Sequence, residues 1–193
     1  MIYLLGGAPR AGKTTAGHRF TERTGVSCFS IDYLKMGLVR GMPEFGLDVY
    51  DDSGTAEKLW PILRGMIHTY AEEDDSILLE GYYLWPVHVA QLSRELDVHI
   101  RSCFIGYCEI PTMQKVHDMR EHDPGGWLRG PGGWSDESDE GATEMVEHLK
   151  SVSRQIRAEC MKYGFRYFDD AGDREGLLAE VTGFLASGHP GRA

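Results

Sequence analysis

The sequence predicts an α/β fold on a parallel sheet, and three observations carry that prediction. Five short apolar runs recur along the 193 residues, with helix-like stretches between them. The runs are almost continuously apolar, which suits strands buried on both faces. The first run, Ile2–Leu5, enters a glycine-rich turn and then a helix-like stretch, "KTTAGHRFTERTG", the strand–turn–helix order of a parallel α/β unit.

The elements follow in order. The second strand is expected over Val26–Ile31 and the third over Ser76–Glu80. The fourth falls within Asp97–Tyr107 and the fifth over Phe165–Asp169. Between the second and third, Ala56, Leu59, Trp60, Leu63, Met66, Ile67 and Tyr70 recur at steps of three and four residues, so this stretch is an amphipathic helix whose stripe packs on the core. Pro61 marks either a kink or the first turn of that helix. A helix from about Thr143 to Tyr163 carries Met145, Val146, Leu149, Val152, Ile156 and Cys160 on one face. A last helix over about Arg174–Ala186 docks the C-terminal part, and "SGHPGRA" reads as a frayed tail. No internal repeat or linker divides the chain, so 1–193 is expected to be one domain.

The turn after the first strand carries the chemistry. Its spacing, Gly7-x-x-x-x-Gly12-Lys13-Thr14, is a Walker A or phosphate-loop pattern. Glycines let the backbone curl so that several N–H groups face one anion, and the following helix aims its positive end at the same point. Gly7, Ala8, Pro9, Arg10, Ala11, Gly12, Lys13, Thr14 and Thr15 are therefore the expected nucleotide cradle. Lys13 meets the β/γ-phosphates and the Thr14 hydroxyl holds Mg²⁺.

A Walker B strand ends in an acid near the metal, and "ILLEG" ends in Glu80, a single Glu and not the Asp-Glu pair of hydrolytic ATPases. No N-K-x-D guanine motif is present, and "DDSG" at Asp51–Gly54 has no strand before it and reads as an ordinary turn. Asp32 directly follows the second strand, where parallel sheets place ligands, and a helix N-cap is the plainer role there. Phosphoryl transfer relies on cations around the moving group, which draws attention to Arg120 and Arg129, with Arg10 a further candidate and Arg40 a weaker one. Arg129 lies in "HDPGGWLRGPGGWSDESD", His122–Asp139, a stretch with five Gly, two Pro and two Trp that reads as a closing lid at about 118–140. The acids Asp136, Glu137, Asp139 and Glu140 complement the dipole of the helix that starts there. His117 and His122 have no metal-ligand partner at usable spacing.

Composition narrows the classes. With 41 % hydrophobic and 26 % charged residues the chain reads as globular, and no apolar run approaches the roughly 20 residues that cross a bilayer. The first apolar run is short and leads into the phosphate loop, so no signal peptide or membrane partner is expected. Four cysteines without a C-x-x-C pair suit a reduced, cytoplasmic protein. A formal charge of −10 argues against a broad nucleic-acid surface.

Gly7–Thr15, Ser30-Ile31-Asp32 and "LLEGYYLWP" (Leu78–Pro86) together resemble the small P-loop kinases, nearest the 2-phosphoglycerate-kinase-like and zeta-toxin/polynucleotide-kinase-like proteins. The resemblance spans roughly Ile2–Asp170 in element order. It implies the three-layer P-loop NTPase sandwich with strand order 2-3-1-4-5, ATP and Mg²⁺ as cofactors, and a mobile lid. It casts Asp32 as acceptor-side base or orienting group and Glu80 as a magnesium-water or substrate ligand.

The expected function is ATP- and Mg²⁺-dependent phosphoryl transfer to a small hydroxyl-bearing or phosphorylated metabolite, by a monomer or homodimer. A nucleoside monophosphate kinase and an antibiotic-modifying phosphotransferase are the rival enzymes. A non-catalytic ATP-binding regulatory module is the rival of another class, and Asp32, Glu80 and a lid favour transfer over sensing.

Overall fold

A computed structural model describes residues 1–48, 51–96, 98–122 and 138–187. The order is β1 (Ile2–Gly7), α1 (Lys13–Thr24), β2 (Ser27–Ser30), α2 (Ile31–Gly41), α3 (Asp52–Glu72), β3 (Ile77–Glu80), α4 (Pro86–Glu95), β4 (Ile100–Gly106), α5 (Thr112–His122), α6 (Asp139–Tyr163), β5 (Arg166–Asp169) and α7 (Arg174–Ala186). The strands form one parallel sheet in the order β2-β3-β1-β4-β5, as expected.

Alternation along the strands builds two cores. Tyr3, Leu5, Leu78, Cys103 and Ile105 face a cluster that includes Phe20 of α1 and Leu178, Val181 and Leu185 of α7. Ile2, Leu4, Ile77, Leu79 and Phe104 face Leu59, Leu63 and Ile67 of α3, Val89 and Leu92 of α4, and Ile156 of α6. Each fully buried Leu or Ile contributes about 1.5–3 kcal/mol over an exposed one. The 25-residue α6 serves both clusters, Val146 and Leu149 in the first and Val152, Ile156 and Cys160 in the second.

Several details differ from the expected ones. Pro61 lies in the interior of α3, which begins at Asp52, so the first-turn alternative is excluded. "DDSG" is a helix start, because Asp51 caps α3 by accepting from Gly54 N at 2.9 Å. Helix α6 begins at Asp139, four residues before the expected start at Thr143, because Ser138 Oγ accepts from Gly141 N and Asp139 and Glu140 fill the first turn. Met145 is exposed and does not belong to the stripe. The four cysteines are free, and burial pushes Cys28 and Cys160 up to about 12, so these two pack as neutral groups. No helix among the described residues is long and apolar enough to cross a membrane.

Candidate active site

Sheet order and register assemble the site. β3 and β1 are neighbours, with Leu5 level with Glu80, and Ser30 of β2 is level with Glu80 from the other side. The carboxyl ends of three strands thus bring the glycine-rich turn, Glu80 and the start of α2 to one edge of the sheet, where open parallel sheets bind ligands.

The turn is held from beneath. Gly7 has φ 134°, and a Cβ there would run into the Ile105 carbonyl of β4. Ala8 N donates to Ile105 O at 2.9 Å and Tyr107 Oη donates to Pro9 O at 2.7 Å. Arg10 (φ 63°) and Gly12 (φ 94°) take left-handed conformations, strained for the arginine. Gly12 is the N-cap of α1 and supplies no side-chain cap, so the helix start keeps N–H donors of the kind an anion satisfies. Residues Gly7 to Thr15 form this turn and the first turn of α1, the predicted cradle.

Two side chains at the start of α1 point to chemistry. Lys13 is only 7 % exposed, and its Nζ donates to Ala8 O at 2.7 Å. Burial holds its ammonium below the ordinary lysine range, Glu80 and Asp32 pull it back up, and Arg10 pushes it further down. Thr14 Oγ1 donates to Glu80 Oε1 at 3.0 Å, and Glu80 is 1 % exposed. Two hard oxygens at the phosphate turn suit Mg²⁺, which takes one or two protein ligands and fills its octahedron with phosphate oxygens and water. The residues therefore fit the metal that the motif implies.

Asp32 is half-buried in the first turn of α2, and its negative charge reaches Lys13. Ser30, not Asp32, is the N-cap, so capping does not account for the carboxylate. Arg120, near the end of α5, is ion-paired with Asp139 at 2.7 Å, joining α5 to the start of α6. Arg129 and the two tryptophans of the expected lid, Trp127 and Trp134, lie outside the described residues, as do Asp136 and Glu137. Arg40 is exposed near the end of α2, and His117 pairs with Glu121 on the surface of α5.

Sequence reasoning missed two supports of the site. Lys35, one turn after Asp32, is buried and donates to Tyr83 Oη at 2.6 Å, tying α2 to the segment after Glu80. Its i, i+3 spacing from Asp32 was readable; its partner, 48 residues away, was not. Tyr107 also lies 4.2 Å, ring centroid to Nζ, from Lys115, which is buried and paired with Asp170 at 3.2 Å. Burial keeps the Tyr107 phenol protonated, so it stays a donor to the phosphate turn.

These features define the fold of the small phosphate-loop kinases. Solved structures share it across nearly the whole chain. A shikimate kinase from Bacteroides thetaiotaomicron is similar over 97 % of this chain and 97 % of its own, with TM-score 0.59 and 15 % identity. A gluconokinase from Sinorhizobium meliloti 1021 is similar over 96 % and 91 %, with TM-score 0.58 and 16 % identity. The tunicamycin resistance protein of Deinococcus radiodurans is similar over 94 % and 93 %, with TM-score 0.52 and 15 % identity. The sequence matches no family profile and no curated protein.

Proposed function

We propose that the chain is an ATP- and Mg²⁺-dependent phosphotransferase for a small hydroxyl-bearing acceptor. The observation that carries this reading is the Thr14–Glu80 hydrogen bond beside the buried Lys13 ammonium. A metal-holding oxygen pair and a phosphate-facing cation meet at one helix start. The gluconokinase and shikimate kinase likenesses support the same reaction class.

In this reading the turn amides and Lys13 hold the β/γ-phosphates, and Thr14 and Glu80 hold the metal. Bound Mg²⁺ supplies charge neutralisation on the phosphate oxygens. Asp32 orients the acceptor hydroxyl and takes its proton as that oxygen bonds to the γ-phosphorus and ADP departs. Arg120 and Arg129 are proposed to close on the transferred group from the 118–140 lid. The narrower likeness to 2-phosphoglycerate-kinase-like proteins rests on the three sequence blocks alone. We read residues 1–193 as one cytoplasmic domain, monomeric or dimeric, without nucleic-acid or membrane partners.

The experiment is coupled ADP release with Mg²⁺-ATP across a panel of hydroxyl compounds. Acceptor-dependent ADP release that needs Mg²⁺ is expected. ATP binding without acceptor-dependent turnover across the panel would favour a sensing module.

A further inference from the structure

A cavity of about 500 Å³ opens between α3, α4 and α6. Topology puts its α3 and α4 walls at the carboxyl edge of the sheet. α3 ends just before β3 begins, so its first turns, with Asp51 and Glu57, lie at the far end; α4 starts just after β3 ends, which brings Trp85 and His88 to that edge. Tyr82 follows β3 on the same short stretch as Glu80. It lines the wall two residues after Glu80 and packs against Tyr83 at 5.4 Å. Lys35, one turn from Asp32, holds Tyr83.

Carboxylates outnumber other ionisable groups in the lining. Asp51, Glu57 and Glu159 face two imidazoles, His88 and His148, and no Lys or Arg is present among the described residues of the wall. The Asp51 carboxylate already serves as a cap, and Glu57 leans on His88 at 3.3 Å. Two acceptor-capable atoms are left over. Glu159 Oε2 and His88 Nδ1 are shut from solvent without hydrogen-bond partners, and the His88 side chain is only 7 % exposed. Leaving such groups unsatisfied is costly, so a small rotation onto a ligand's N–H or O–H donor is favourable. Tyr82 and Trp85 add aromatic surface, which a cation or a sugar-like ring can pack on.

We infer that this cavity takes the phosphoryl acceptor, and that the acceptor is a hydroxyl compound carrying a protonated amine, not a phosphorylated or carboxylated one. The inference rests on the phosphotransferase reading and names its substrate class. A phosphate or carboxylate entering this wall meets three carboxylates and no lysine or arginine from the described residues, a like-charge excess that rejects anionic ligands. An ammonium group meets Glu57 and Glu159 and supplies the missing donors.

Calorimetry on the full chain with Mg²⁺ and a non-hydrolysable ATP analogue tests it. The probes are skeleton-matched sets that differ in charge: glucose, glucosamine and glucose 6-phosphate; glycerol, 3-amino-1,2-propanediol and glycerol 3-phosphate. The amine-bearing member is expected to bind about tenfold tighter than its neutral counterpart in at least one set, with the phosphorylated member weakest. Glu159→Gln and Glu57→Gln should each narrow the amine preference several-fold while leaving affinity for the ATP analogue unchanged. With the analogue bound, equal or tighter binding of neutral or phosphorylated members overturns the inference. So does the absence of any amine binding up to on the order of 10 mM. Failure of the analogue itself to bind would instead count against the phosphotransferase reading.

Discussion

Lys13 carries two opposed demands. Its ammonium is desolvated, which disfavours the charge, yet Glu80 and Asp32 beside it favour keeping it. In the unfolded chain the same lysine titrates at its ordinary value, so between the folded and unfolded values the unfolded state holds more protons. There the Lys13 contribution to stability rises with pH. Lys13→Ala removes this pH-dependent term along with the cation. Turnover should fall by about 10³-fold or more, the scale for losing a cation on the transferred phosphoryl group. The melting temperature without nucleotide should move little. Near-wild-type ADP release from the variant would sink the phosphate-loop assignment. Asp32 is the second residue of this kind. Asp32→Asn removes the charge at constant size and leaves the Ser30 cap in place. Transfer should drop by roughly 10²-fold with ATP-analogue affinity held, as for a general base or orienting group. Unchanged turnover would remove Asp32 from the mechanism.

Between elements, the phosphate turn depends on β4 and its continuation. Ile105 O takes the Ala8 amide, Tyr107 Oη holds Pro9 O, and Lys115 lies over the Tyr107 ring. Asp170 balances Lys115 and also accepts from Gly172 N at 3.0 Å, so one carboxylate joins α5 to the turn after β5. Burial pulls the Lys115 ammonium below its usual range and Asp170 opposes that. Asp170→Asn leaves a buried ammonium without its counter-charge, and such losses cost about 3–5 kcal/mol. Urea denaturation should show this loss in the midpoint, with an unchanged slope. A midpoint close to wild type would mean that water reaches Lys115 and that the pair is not dry. Tyr107→Phe is the gentler probe. It should cost about 1 kcal/mol and raise the KM for ATP more than it lowers kcat, because the turn is loosened while Lys13 stays.

Across the whole molecule, the proposed nucleotide binding would be linked to folding. The cradle joins β1 to α1, Glu80 extends it to β3, and α2 closes the side next to β2, so most of the sheet must be formed for the site to exist. A ligand that binds only the folded state at 100 times its Kd adds about 2.7 kcal/mol. For a chain of this size that corresponds to a rise of roughly 5–10 °C in Tm. Differential scanning calorimetry with Mg²⁺ and ATP analogue should show that rise in a single transition. The rise should shrink sharply in Glu80→Gln if Glu80 holds the metal, and an equal rise with and without Mg²⁺ would remove Glu80 from that role.

Local information was enough for the repeating strand–helix order and for the glycine-rich turn between β1 and α1, and it singled out Asp32 and Glu80, whose roles are proposed above. Periodicity, glycine sterics and the phosphate-loop spacing all act over a few residues, so they are written in neighbouring letters. The helix starts at Asp51 and Ser138 were less legible, because a cap is a short polar signal that reads equally well as a turn. What only the tertiary structure decided is which distant groups meet. Thr14 finds Glu80 across 66 positions, Lys35 finds Tyr83 across 48, and Tyr107 finds Pro9 across 98. The carboxylate-lined cavity takes its wall from α3, α4 and α6 together. Those meetings follow from the order and register of a parallel sheet, in which neighbours in space are joined by long crossovers, and no short stretch of sequence carries that information.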